Sequence, residues 1–133
     1  MKIKRFEDFE QLNEEVKLSK VVKREEVDGY TVYIGRNAEM NDILTTEIAE
    51  PGDIWMHASG VPGSHVVIKV NDEKPSKGTI REVAKIAAKN SRGKGKINVV
   101  YTDAKNVTKT SKHKIGEVSV DYDKSDFVKV YAN

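Results

Sequence analysis

At 133 residues the chain is the size of one domain with one real core. It is 38% hydrophobic and 33% charged, with no apolar run near the roughly 18 residues a membrane span needs and no basic-then-apolar secretion signal at its start. The absence of cysteine excludes a disulfide framework, a thiolate nucleophile and a cysteine zinc site, so a reducing, cytoplasmic setting is the expectation. The net charge of +2 conceals an uneven distribution, because residues 79–114 hold ten Lys and Arg against two Asp and Glu, while the segments on either side are net acidic. Such a block marks either a polyanion-binding surface or a solvated lysine-rich face.

Residues 1–20 are expected to form a short N-terminal helix or a mobile arm, since Phe6, Phe9, Leu12 and Val16 make one narrow apolar stripe. The domain proper is expected over 21–133. Val21 to Val27, Asp28-Gly29 and Tyr30 to Gly35 read as a hairpin, because Asp-Gly favours a tight turn. Asn37 can cap a helix running to about Glu50, with Met40, Ile43, Leu44 and Ile48 as its buried stripe. Asp53 to Ala58 reads as a strand with Ile54 and Met56 on one face and Trp55 and His57 on the other. His65 to Val70 is the next strand, beyond a Pro62-Gly63-Ser64 bend. Thr79, with Glu82 three residues on, matches a capping box for a helix with Ile80, Val83, Ala84 and Ala87 inside. Arg81, Lys85 and Lys89 line one side of that helix, where the repulsion of like charges is relieved if phosphates sit opposite. Ser91 to Lys96 follows as a flexible basic loop, Ile97 to Tyr101 as a strand and Lys105 to Lys114 as a basic turn region. Gly116 to Val120 and Phe127 to Tyr131 are the last strands. The sum is a single α+β domain, a mostly antiparallel sheet of about seven strands with two main helices and a short N-terminal helix.

The polar chemistry concentrates between Asp53 and Val67, which holds the only tryptophan and two of the three histidines. Gly63 and Ser64 leave the backbone at the bend open to a close-approaching ligand. Ser64 lacks the Gly-x-Ser-x-Gly elbow of hydrolases, and there is no P-loop or dinucleotide fingerprint. It reads as a hydrogen-bonder to backbone or phosphate. His57 and His65 flank the bend, so adjacent strands can bring them together, either to hydrogen-bond the turn or to act as acid and base in RNA cleavage. A metal site needs a third ligand that the sequence does not designate, and no cofactor is expected. Arg36, at a strand end before a helix start, can fork onto a phosphate or pair with Asp42 or Asp53. Asn41 and Asp42 read as structural. Trp55 either fills the core or stacks on an unpaired base.

In order along the chain, Asp28-Gly29, Gly35-Arg36-Asn37 with Asn41-Asp42, Asp53-x-Trp55-x-His57-Ala58 and Pro62-Gly63-Ser64-His65-Val66-Val67 resemble the NFACT-R family, as do Ser91, Lys109 and Gly116 further on. This family is the RNA-binding module of ribosome quality-control factors and their fibronectin-binding-protein-like relatives. The resemblance runs from about Asp28 to the C-terminus. In large members the module follows an N-terminal domain, a helix-hairpin-helix region and a coiled coil, none of which fits in 133 residues. It therefore implies a stand-alone, non-enzymatic RNA-binding domain whose partners are tRNA or rRNA and the ribosome, with DNA left open, no membrane partner and no oligomeric state specified. Taken with the charge pattern, it assigns nucleic-acid contact to Arg36, Trp55, His57, Gly63, Ser64, His65, Arg81, Lys85, Lys89, Ser91, Arg92, Lys94, Lys96 and Lys109. Two other classes stay open. One is a ribonuclease or RNA-modification accessory built on His57 and His65. The other is a protein-interaction or virion component, because the opening residues also resemble the targeting peptides of some tailed-phage virion proteins, with Leu12-Asn13-Glu14 at the processing position.

Overall fold

The structure, a computed structural model, describes residues 18–132. The expected helix carrying Phe6, Phe9, Leu12 and Val16, and the Leu12-Asn13-Glu14 triplet, lie outside the described residues. Residues 18–21 form a helical turn that leads into the first strand.

Eight strands follow: β1 (Val22–Val27), β2 (Tyr30–Gly35), β3 (Ile54–Ala58), β4 (Val66–Ile68), β5 (Lys96–Asp103), β6 (Val107–Thr108), β7 (Ser119–Val120) and β8 (Asp126–Tyr131). Six of them form an antiparallel sheet in the order β1-β2-β4-β3-β5-β8, and β6 pairs with β7 in a separate ribbon. Asp28 and Gly29 both take positive φ, +50° and +85°, which the tight β1–β2 turn requires and which Asp-Gly tolerates. The α+β single domain is therefore as expected, with the Gly116 to Val120 strand shortened to two residues. Gly116 (φ +80°) and a Glu117 N–H to Lys114 carbonyl bond turn the chain there instead.

Two helices cover the sheet, α1 (Ala38–Ile43) and α2 (Lys77–Lys89). The alternation of β3 places Met56 and Ala58, with Val66, Ile68, Val99 and Val130, against the inner stripe Ile80, Val83, Ala84 and Ala87 of α2. Trp55, Val67 and Val100 face the other way and pack with Leu44 and Val22, flanked by Val107, Val118 and Val120 of the ribbon. Each face thus has its own core, and around Trp55 and Val100 the second face is covered by the Leu44–Ile48 turn and the β6–β7 ribbon.

Two helix boundaries differ from expectation. The helix from Asn37 runs regularly only to Ile43 and then widens into a single π turn, Leu44–Ile48. Thr46 Oγ1 donates back to the Asp42 carbonyl at 2.8 Å, a local bond of the kind that competes with regular helix. Of the expected stripe, Leu44 is fully buried and Met40, Ile43 and Ile48 only partly. Asn37 does cap, accepting from the Met40 N–H at 2.9 Å. The second boundary is Ser76, not Thr79, as the cap of α2: its hydroxyl accepts from the Thr79 N–H at 3.2 Å, while Thr79 Oγ1 donates to Asp28 Oδ2 at 2.7 Å. Ser76→Ala is expected to cost about 1 kcal/mol, read as a lowered thermal midpoint. An unchanged midpoint would return the cap to Thr79.

Asp53 fixes the start of β3. Its buried carboxylate accepts from Lys69 Nζ at 2.6 Å, the Glu50 N–H at 2.9 Å and the Val70 N–H at 3.0 Å. Burial disfavours the Lys69 ammonium, but the Asp53 and Glu50 carboxylates outweigh that and hold its pKa above the usual lysine value. Asp53 therefore anchors the adjacent strand end through Lys69 and Val70, which leaves the opposite end of β3 and β4, where the bend lies, to be held by other groups.

Candidate nucleic-acid interface

The bend between β3 and β4 is fastened on two sides. On one side it meets the C-terminal end of α2: Gly63 lies opposite Ser91 in an isolated bridge. The Ser64 N–H donates to the Asn90 carbonyl at 2.9 Å and the Arg92 N–H to the Pro62 carbonyl at 2.8 Å. A Cβ on Gly63 would stand 2.7 Å from Ser91 Cβ and 2.8 Å from Ser91 Cα, so only glycine lets the two backbones approach this closely. On the other side the bend meets β2 and α1. Ser64 Oγ donates to the Gly35 carbonyl at 2.8 Å, and buried Asn41 reaches both flanks of Ser64. Its Oδ1 accepts from the His65 N–H at 3.0 Å and its Nδ2 donates to the Gly63 carbonyl at 3.3 Å. Asn41 belongs to the site's framework, and its place in the first turn of a helix gave no sign of these long-range partners.

Around the bend lies an open cleft of about 990 Å³. It gathers Arg36, Trp55, His57, Gly63, Ser64, His65, Ser91 and Arg92, eight of the residues assigned to nucleic acid. Arg36 and Arg92 are exposed on it. Arg36 Nε donates to the Ser19 carbonyl at 3.0 Å. The salt-bridge alternative is not what forms among the described residues, because Asp42 pairs with Lys109 at 3.1 Å and Asp53 with Lys69. Lys114 and Tyr122 also line the cleft, and the sequence had singled out neither.

Two assignments change. Trp55 is 1% exposed and its indole N–H donates to Thr45 Oγ1 at 3.0 Å, so it is a core residue and offers no free face to a base. Lys109 is turned inward: its ammonium contacts Asp42 and donates to the Glu117 carbonyl at 2.8 Å. Gly116 converges on the same carboxylate through its N–H at 3.0 Å. Lys109, Asp42 and Gly116 thus clamp the β6–β7 ribbon onto α1.

The histidines do come together. Their rings meet edge to face with centroids 5.2 Å apart, and Trp55 stacks on His57 at 6.0 Å. Thr45 Oγ1, which accepts from the Trp55 indole, also shares a hydrogen bond with His65 Nδ1, 2.8 Å away. Burial, then the neighbouring His57, push the His65 pKa down to about 4, against smaller upward pulls from Asp42 and backbone contacts. Burial also lowers His57, partly offset by a backbone hydrogen bond at Gly63. Both imidazoles are neutral near pH 7, which suits bracing the bend and not delivering a proton to a leaving group.

Arg81, Lys85, Lys89 and Lys96 line a second opening of about 480 Å³, between α2 and the β8 edge, together with Lys129 and Tyr131. The basic row and the bend are therefore two openings and not one. They meet at the end of α2, where Lys89 precedes the Asn90 carbonyl that holds Ser64. Lys94 is exposed on the loop beyond and lines neither. Among the described residues no three His, Cys, Asp or Glu gather as a metal set, and no helix is long and apolar enough to cross a membrane.

A family model described as the NFACT protein RNA binding domain matches residues 20–121. The Rqc2 homolog RqcH of Bacillus subtilis (strain 168) is 40% identical over 106 residues, covering 78% of this chain and 18% of that protein. The Rqc2 homolog RqcH of Streptococcus pneumoniae (strain ATCC BAA-255 / R6) is 37% identical over 100 residues, covering 70% and 18%. The chain therefore spans less than a fifth of these relatives. Among solved structures, the C-terminal part of the fibronectin/fibrinogen-binding protein from Streptococcus suis superposes with a TM-score of 0.75 at 29% identity, covering 84% of this chain and 45% of that one.

Proposed function

The chain belongs to the NFACT RNA-binding domain family, and from that membership we propose that it is a non-enzymatic module that grips the phosphate backbone of tRNA or ribosomal RNA at the bend cleft. The observation that carries this reading is the placement of Arg36 and Arg92 on either side of a backbone held still by Asn41, Gly63 and Ser64. A preorganised bend loses little freedom on binding, and two guanidiniums can each take a phosphate through paired N–H donors. The row Arg81, Lys85 and Lys89 extends the positive field away from the cleft and supplies sequence-independent attraction. Contact with the ribosome follows on this reading where the RNA gripped is ribosomal, and the cysteine-free composition suits a cytoplasmic setting. The neutral histidine pair favours binding over cleavage.

The test is the double variant Arg36→Ala/Arg92→Ala, measured against a tRNA transcript by filter retention at several salt concentrations. Affinity is expected to fall about tenfold or more, and the slope of log K against log salt to shrink by about 2, one per lost phosphate contact. Wild-type affinity with an unchanged slope would remove the cleft from the reading. A parallel DNA duplex arm separates RNA preference from general polyanion binding.

A further inference from the structure

Four large hydrophobic side chains are exposed among the described residues, and three are aromatics of the C-terminal segment: Tyr122 at 57%, Phe127 at 50% and Tyr131 at 63%. They lie past residue 121, where the family match ends. The register places them. Phe127 pairs with Val100, Lys129 with Asn98 and Tyr131 with Lys96, and Val100 pairs with His57. Paired residues share a face, so Phe127, Lys129 and Tyr131 stand on the Trp55–His57 side of the sheet. The β6–β7 ribbon and the Leu44–Ile48 turn cover that side as far as Val100, and Asn98, Lys96, Lys129 and Tyr131 beyond it are exposed. Val128 and Val130, the alternate residues of β8, face the α2 core instead.

We propose that this uncovered half of the sheet is a stacking platform for unpaired RNA bases, a reading that rests on the RNA-binding role above and names the kind of RNA it takes. Two features on this face favour a nucleotide as the occupant. Phe127 and Tyr122 already stack, with ring planes 5° apart and centroids 6.1 Å apart, which is the geometry a base extends. The aromatics also interleave with lysines on the same face, Lys129 between Phe127 and Tyr131 and Lys96 beside Tyr131, so bases and phosphates have separate partners. Phe127 and Tyr131 are four strand residues apart, roughly 13 Å, and receive different bases. The platform adjoins both openings: Tyr122 lines the bend cleft and Tyr131 the lysine groove. An uncharged apolar segment docking on the same aromatics would leave the flanking lysine row unpaired.

The test is fluorescence anisotropy of the full chain with a short labelled single-stranded RNA and with the same sequence as a duplex. Phe127→Ala/Tyr131→Ala keeps the inward Val128 and Val130, and a thermal melt verifies that it folds. Its affinity for the single strand is expected to fall about tenfold or more, and for the duplex to stay within about twofold. The conservative pair Phe127→Tyr/Tyr131→Phe should bind the single strand as wild type does. Equal weakening toward both RNAs, or wild-type binding by the alanine variant, overturns the platform alone. If the wild-type chain binds neither RNA, the RNA-binding reading falls with it.

Discussion

Gly35→Ala is expected to destabilise the protein by about 3 kcal/mol and to weaken RNA binding at a position no ligand needs to touch. Gly35 does not have positive φ, so the backbone would accept alanine. The obstacle is Asn41, whose Oδ1 would lie 2.0 Å from the new Cβ, with its own backbone Cα 3.1 Å away. The side chain must leave, and it is 5% exposed with both ends of its amide in use. Overpacking costs about 1–3 kcal/mol, and a buried donor or acceptor left unpaired a further 1–3 kcal/mol. The bend would then lose the brace on both sides of Ser64. A double-mutant cycle isolates the cause: in an Asn41→Ala background the same glycine substitution meets no amide and should cost less than about 1 kcal/mol, a coupling of about 2 kcal/mol. Urea unfolding of the four proteins measures it. Additive costs would mean that Gly35 is required for some reason other than Asn41.

That brace also shows where reading the chain by pattern succeeds and where it stops. Period-two alternation placed Ile54 and Met56 opposite Trp55 and His57, and the i, i+3, i+4 spacing found the buried side of α2, because both patterns record burial of neighbours in sequence. They say nothing about what covers a face. Trp55 was assigned to the correct side of its strand, yet its burial depends on Leu44, Thr45 and a ribbon beginning about fifty residues later. Lys109 had the charge expected of a phosphate contact, but charge alone does not distinguish a phosphate from the Asp42 carboxylate it meets. The Thr79 cap fitted Thr-x-x-Glu as well as Ser76 fits its own place, and the tie was decided by a hydroxyl bond to Asp28, 51 residues away. Phe127 and Tyr131 read as ordinary strand residues because alternation does not reveal that β8 is an edge strand with one open face.

The histidine pair makes the protein's stability fall on mild acidification. His65 titrates in the folded state at about 4, against about 6.5 for an unperturbed histidine. Between these values the unfolded chain binds a proton that the folded chain refuses, so the unfolding free energy rises with pH in that window. Its contribution is fully present above pH 6.5, shrinks as pH falls, and is exhausted near pH 4, where both states are protonated. A gap of that size corresponds to about 3 kcal/mol. His57, lowered by its own burial, acts in the same direction, since two imidazoliums with centroids 5.2 Å apart would repel. Asp42, across the packed α1 side, opposes the shift but ranks below burial and His57 among its causes. Asp103, whose carboxyl is held below its usual value by the Gly52 and Lys105 N–H groups despite burial, adds loss only at lower pH. An NMR titration of the His65 ring should therefore find a midpoint near 4, and urea unfolding should lose about 3 kcal/mol between pH 7 and pH 4, a loss substantially reduced in His65→Gln. A midpoint near 6.5 would show that water reaches the ring, and with it the bend would lose the neutral, rigid brace on which a fixed phosphate site depends.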